Sequence, residues 1–332
     1  MTIQQLLKTA PVTTLILISF IGLFIMQVLS GVDANNPSTE ALLKWGANAL
    51  PYTMDNEPWR LASSAFLHIG LMHLLFNGFA MYFFGQIAEP MFGSAKFLAL
   101  FLLAAIGGNL LNNHITWQGI LDGTGQPGLS AGASGGIMGI GAALLIAALF
   151  KISVNGMVLN LKSLIIIMGI NLVYGFAVPG IDNAGHIGGA VTGLVIALAF
   201  AIAYRQRLAA TLQNMPSRAQ DIYQATYINS PTSSDTDFSI PTSNHAPRFD
   251  NEGNFDNNNS FNHDSAVNLP LDSYANQAPL NHGKINQQQT VTKSTLIWQL
   301  LPWLVILLIS IGFVWWWQDI HQQILQVLAA IE

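Results

Sequence analysis

The stretch Leu129-Ser-Ala-Gly-Ala-Ser-Gly-Gly-Ile-Met-Gly-Ile-Gly141 sits where a short polar loop gives way to the apolar run of residues 137–150. Ser134 is therefore expected in the first turn of a helix entering a membrane. Three features meet there. Gly132, Gly135 and Gly136 allow other backbone or a ligand to come close. A helix start leaves N–H groups unpaired, and its dipole favours developing negative charge. A hydroxyl beside such donors is half of a nucleophile-and-oxyanion arrangement. Gly, Ala and Ser are also the ordinary packing residues of membrane helices, so the stretch alone leaves chemistry and packing both open. What the other spans hold at the same depth separates them.

The composition is that of a membrane protein. Of 332 residues, 51% are hydrophobic and 9% charged, against about 25% charged in a soluble domain. The net charge of −5 comes without a basic run, which gives no sign of a nucleic-acid partner. Cysteine is absent, so disulfides, Cys-ligated zinc and thiol catalysis are excluded.

Hydropathy predicts an all-α polytopic bundle of six spans with a seventh after a polar linker. Residues 13–30 are long enough to cross a bilayer and exceed a signal-peptide core, so a retained span is expected. Residues 31–60 form a polar loop with Leu42, Leu43, Trp45 and Trp59 as expected interfacial anchors. The second span is expected over 61–88 and holds His68, His73 and Asn77, with Glu89 as an inner-end cap or ion-pair member. The third is expected over 96–111, followed by a loop over 112–128. The fourth runs over 132–150, and the fifth over 157–178 with Lys162 snorkelling near its start. A turn over 179–185 leads to His186 and a sixth span ending near Tyr204. These make a core of residues 1–205. Residues 206–294 are rich in Asn, Gln, Ser, Thr, Asp and Pro and read as a disordered linker. Residues 295–332 are expected to give a seventh span ending in Trp315-Trp-Trp317, then an amphipathic helix over 319–332 lying on the interface.

The positive charges orient this topology. With the N-terminus inside, only Lys44 and Arg60 of the twelve Lys and Arg residues face outward. The linker is then cytoplasmic, and the expected location is the bacterial inner (plasma) membrane. Spans two, four and six all enter from the outer face. His186 and Ser134 fall in first turns, and His73 and Asn77 about a dozen residues into span two. At about 1.5 Å per residue they lie in the outer third to half of the bilayer. Polar groups at that depth are costly and read as functional. Ser134 needs a base, and His186 suits that role near neutrality. His73 and Asn77, four apart and on one helix face, carry N–H donors for an oxyanion. Gly135 with Gly139, and Gly189 with Gly193, would let spans four and six approach closely. A zinc site is the rival for three histidines. His68 and His73, however, are five apart, no His-Glu-x-x-His occurs and no carboxylate shares their depth. No metal is therefore expected, and His68 is assigned an interhelical hydrogen bond.

At these residues the chain resembles the rhomboid family of intramembrane serine proteases. The matching pieces are Trp45-Gly-Ala-Asn48, Trp59-Arg60, His68 with His73-Leu-Leu-Phe-Asn77, Gly132-Ala-Ser-Gly135 and Gly185-His186-Ile-Gly-Gly189. Together they cover about residues 10–205. The resemblance implies a six-helix bundle with a water-accessible cavity open to the outer side. It also implies a Ser134–His186 dyad without an acidic third member, and an oxyanion hole of Ser134 N–H, His73 and Asn77. Implied substrates are single-span or polytopic membrane proteins cut in or near a spanning segment, within the lipid bilayer and without a cofactor. Met138 stands where the family often has an aromatic residue facing the histidine, which bears on the packing of His186. The alternative is a non-catalytic rhomboid-like protein that binds or escorts membrane clients, marked by loss of Ser134 or His186. A transporter lacks an acidic residue along a transmembrane path.

Overall fold

The computed structural model describes residues 3–126, 128–152, 159–177, 181–213 and 291–331. The chain divides into two compact units, Met1–Ala210 with Gln287–Glu332, and Thr211–Asn286. Of the second only residues 211–213 are described, so the linker expected over 206–294 lies mostly outside the described residues.

The architecture is a polytopic all-α bundle of the rhomboid-like type. Its helices are α1 (Ile3–Thr9), α2 (Pro11–Leu29), α3 (Thr39–Lys44), α4 (Leu50–Asp55), α5 (Arg60–Ser63), α6 (Leu71–Phe92), α7 (Ser94–Leu121), α8 (Ser134–Leu149), α9 (Leu161–Ala177), α10 (Asn183–Gln213) and α11 (Val291–Ile331). Two short strands, β1 (Asn48–Ala49) and β2 (Leu129–Ser130), pair antiparallel with Asn48 opposite Ser130. Among the described residues, α2, α6, α7, α10 and α11 are long and apolar enough to cross a membrane, while α8 and α9 are shorter apolar helices. The chain is an integral, multi-pass membrane protein.

The central helix is α8, whose residues Gly135 to Leu144 are all buried. Its glycines set that position. Gly136 lies against the Phe101 ring of α7, where a Cβ would stand 2.5 Å from Cδ2. Gly139 lies against Ala104 of α7 and against the Gly189 carbonyl of α10, where a Cβ would stand 2.3 Å from the Ala104 Cβ and 2.9 Å from the carbonyl oxygen. Larger residues would hold three helix backbones apart. Phe97, Leu100, Phe101, Ile140, Leu144 and Ile196 fill the surrounding core without solvent exposure.

Four expectations change. The second span does not begin at residue 61: α5, a 3₁₀ turn (Ser64–Phe66) and a non-helical stretch precede α6. The stretch is as apolar as a span, but Gly70 at φ +95° turns the chain, and Leu71 N–H bonds to the Ala34 carbonyl at 2.9 Å. Non-helical backbone at membrane depth is tolerated when protein surrounds it. α6 also runs through Pro90 to Phe92. Second, α7 continues through the expected loop to Leu121, because Asn112 and Asn113 find side-chain partners (below) and Trp117 is buried. Third, α10 extends beyond Tyr204 to Gln213, over Gln206, Arg207, Leu208 and two alanines, all good helix formers. Fourth, residues 319–331 do not form a separate interfacial helix. They continue α11, and Ile320 is fully buried.

The first loop is also more built than expected. Leu42 is a core residue of a small cluster with Ala47, Leu67 and Ala131, not a membrane anchor, whereas Trp59 is half exposed. Arg60 ties this loop together. Its Nη1 donates to the carbonyls of Leu43 (2.7 Å) and Ala47 (3.0 Å), and its Nε pairs with Glu57. Glu89 is the expected cap: it closes the N-terminus of α2 through Val12 and Thr13.

Candidate functional site

Ser134 is the first residue of α8, His73 the third of α6 and His186 the fourth of α10. The late start of α6 thus puts all three in first turns, closer in register than a span from residue 61 allowed.

The approach of α8 and α10 follows the two glycine pairs. Gly189 lies so close to the Gly135 carbonyl, and Gly193 to the Gly139 carbonyl, that neither has room for a Cβ. Because both partners advance by four, the helices run parallel. A Cβ on Gly135 would stand 3.2 Å from the Gly185 carbonyl oxygen. Ser134 and His186 are therefore the immediate neighbours of one backbone-to-backbone contact. Both are half-buried.

His73 and Asn77 converge on the same place from α6. Gly132 has φ +144°, and a Cβ there would meet His73 Cε1 at 2.6 Å, His73 Nε2 at 2.9 Å and Asn77 Nδ2 at 3.6 Å. Only glycine fits both the backbone angle and the space. The Ile69 N–H donates to His73 Nδ1 at 3.3 Å, which places the proton of the neutral ring on Nε2, the nitrogen facing Gly132. Asn77 Nδ2 is buried with no hydrogen-bond partner among the described residues. Two donors are thus directed at the loop end from which Ser134 starts α8, beside the first-turn N–H groups that lack helical acceptors. A carbonyl oxygen set among them would meet a ready field of donors.

The Nδ1 of His186 is buried and has no hydrogen-bond partner among the described residues. The nearest acidic residue in sequence, Asp182, is occupied elsewhere. Its Oδ1 accepts from Gly185 N–H (2.7 Å) and Asn112 Nδ2 (2.9 Å), and its Oδ2 from Ser130 Oγ (2.7 Å). Asp182 therefore caps α10 and fastens it to α7 and β2. This residue and its partners Ser130 and Asn112 were missed in the sequence, although an Asp directly ahead of a helix is a recognisable N-cap signal.

His68 corrects an expectation. Its ring nitrogens are buried without a hydrogen bond among the described residues, and the ring packs edge-on against Phe20 (4.8 Å) and His73 (5.4 Å). It lies in the non-helical stretch before α6, and its contact with α2 is this ring packing against Phe20 in place of the expected interhelical hydrogen bond. Met138 lines an apolar cleft of about 280 Å³ with Met168, Val191 and Ile187, the residue after His186.

The family model of the rhomboid domain matches residues 55–203, which include all five residues above from His68 to His186. The chain is 37% identical over 184 residues to the rhomboid protease GluP of Bacillus subtilis (strain 168), covering 55% of this chain and 34% of that protein. It is 30% identical over 203 residues to the rhomboid protease AarA of Providencia stuartii, covering 56% and 71%. With RHOMBOID-like protein 6, mitochondrial, of Arabidopsis thaliana, 33% identity extends over 162 residues, 48% of this chain and 50% of the plant protein. The chain thus spans about a third of GluP and half of the plant protein. With 71% of AarA covered at that identity, the chain belongs to the rhomboid family.

Proposed function

We propose that this protein is an intramembrane serine endopeptidase that cleaves membrane-anchored proteins in or near their transmembrane segment. The observation that carries the reading is the convergence of His73 Nε2 and Asn77 Nδ2 on Gly132, two residues before Ser134. It is joined by the glycine contact that makes His186 a neighbour of Ser134. Ser134 Oγ attacks the scissile carbonyl while His186 accepts its proton. Negative charge then grows on the carbonyl oxygen, where Ser134 N–H, His73 Nε2–H and Asn77 Nδ2–H receive it. His186 returns the proton to the leaving amine, and water, deprotonated by His186, releases the acyl group. The Nδ1 of His186, without a hydrogen-bond partner among the described residues, supports a dyad that has no carboxylate behind it.

In this reading residues 1–205 are the protease core, 206–294 a cytoplasmic linker and 295–332 the seventh span. The site opens to the outer side of a bacterial inner membrane. The test is a serine-directed fluorophosphonate together with a transmembrane reporter. Wild type is labelled and cleaves, and Ser134→Ala does neither. Equal labelling of both proteins, or reporter binding without cleavage by the wild type, would favour an escort of membrane clients instead.

A further inference from the structure

The seventh helix is held unevenly. In its N-terminal half Leu296, Ile297, Leu300, Leu304 and Leu307 are each more than half exposed. Its C-terminal half is docked. Ile320 is fully buried among Leu50, Met54, Leu110 and Trp117. Trp317 Nε1 donates to the Thr53 carbonyl at 2.9 Å, and His321 Nδ1 meets the Met54 carbonyl. Trp117 Nε1 donates to Gln323 Oε1 at 3.1 Å. Phe313 reaches Gly107 of α7, where a Cβ would lie 2.7 Å from its ring. A helix retained only by lipid has no need of three polar side-chain contacts at one end.

From Thr53 the contacts continue toward the site. Thr53 Oγ1 donates to Asn48 Oδ1 (2.8 Å) and accepts from Ala49 N–H (3.2 Å). Asn48 exchanges two side-chain hydrogen bonds with Asn113 of α7, at 3.0 and 3.1 Å. Asn48, Thr53 and Asn113 have no solvent exposure, so breaking one bond leaves a buried polar group unpaired and the group responds as a unit. Asn48 pairs across β1–β2 with Ser130. Ser130 then bonds Asp182, which caps α10 through Gly185 N–H, one residue before His186. Asn112, beside Asn113 on α7, bonds the same carboxylate.

We propose that α11 is a positioning element of the catalytic site: by fixing α4 it fixes the Thr53–Asn48–Ser130–Asp182 series, and so the first turn of α10 and the imidazole of His186 against Ser134. This rests on the dyad reading. None of these residues belongs to the dyad or to the oxyanion donors. Misplacing a catalytic group by about 1 Å from a distance costs up to about a hundredfold in rate, so the effect falls on turnover and not on substrate binding.

The experiment uses the full chain carrying Trp317→Ala, Ser130→Ala, both together, or Trp315→Ala, which changes an exposed residue of the same helix. Turnover and KM are measured on a transmembrane reporter, and amide hydrogen exchange is followed at Gly185 and His186. Each of the first two lowers kcat about tenfold or more at unchanged KM and speeds exchange at both amides. The double variant is no slower than the worse single, as residues acting in series require. Trp315→Ala leaves every readout unchanged. The proposal is overturned if the kcat effects multiply, if exchange at Gly185 and His186 is unmoved by Trp317→Ala, or if Trp315→Ala matches Trp317→Ala. A wild type that does not cleave defeats the dyad reading instead, and exchange alone then decides whether α11 governs the start of α10.

Discussion

Glu89, near the end of α6, closes the first turn of α2 by accepting from both the N–H (2.7 Å) and the Oγ1–H (2.8 Å) of Thr13. Its other oxygen accepts from Val12 N–H (2.9 Å) and Ser94 Oγ (2.6 Å). The carboxylate is 1% exposed and meets four donors. Glu89→Gln sets an NH₂ against one pair of them, which costs about 1–3 kcal/mol. Glu89→Ala strands all four and destabilises more. Thermal unfolding in detergent measures both, and an unchanged midpoint for Glu89→Ala would remove the cap from the account of this fold.

Gly189→Ala drives a methyl group into the Gly135 carbonyl. The helices separate at the point flanked by Ser134 and His186, so activity falls further than stability does. Gly22→Ala is the contrast: a Cβ there meets nothing within 4 Å, and helix propensity favours alanine by up to about 1 kcal/mol. Its reporter cleavage stays at the wild-type rate. Equal activity in both variants would mean that the close approach of α8 and α10 is irrelevant to the chemistry.

The oxyanion donors and the dyad separate by degree. Asn77→Ala and His73→Ala each leave Ser134 N–H and one side-chain donor, so turnover falls by about 10²–10³ with substrate binding little changed. Ser134→Ala and His186→Ala fall to background. Reporter turnover with a thermal-unfolding control tests this. Full activity in folded Asn77→Ala and His73→Ala would return both to interhelical packing.

Because the chain has no cysteine, single cysteines report the orientation without background. Asn257→Cys stays protected from a membrane-impermeant thiol reagent in intact cells, and Ala330→Cys, at an exposed position on α11, reacts. The reverse pattern inverts the topology.

The candidate site residues could be picked out because each carries a type-specific signal: a Ser among glycines at the edge of an apolar run, histidines at membrane depth, and small residues four apart. Gly135, Gly139, Gly189 and Gly193 named the contact that the fold contains. Hydropathy failed where apolar residues serve something other than a span. Residues 61–70 are mostly covered by protein, and an average over a window does not distinguish that from lipid. Asn112 and Asn113 suggested a loop because their partners, Asp182 and Asn48, lie 70 and 65 residues away. The docking of Trp317, His321 and Gln323 was hidden for the same reason. An aromatic and polar tail reads as an interfacial helix until its partners are known.

The hydrogen bond between Trp317 and Thr53 joins residues 264 apart in sequence. A ribosome adding about 5–20 residues per second needs on the order of 10–50 s to make that much chain. Through that interval Thr53 is in the chain without the tryptophan that donates to its carbonyl. The newborn bundle is inserted first and latched last.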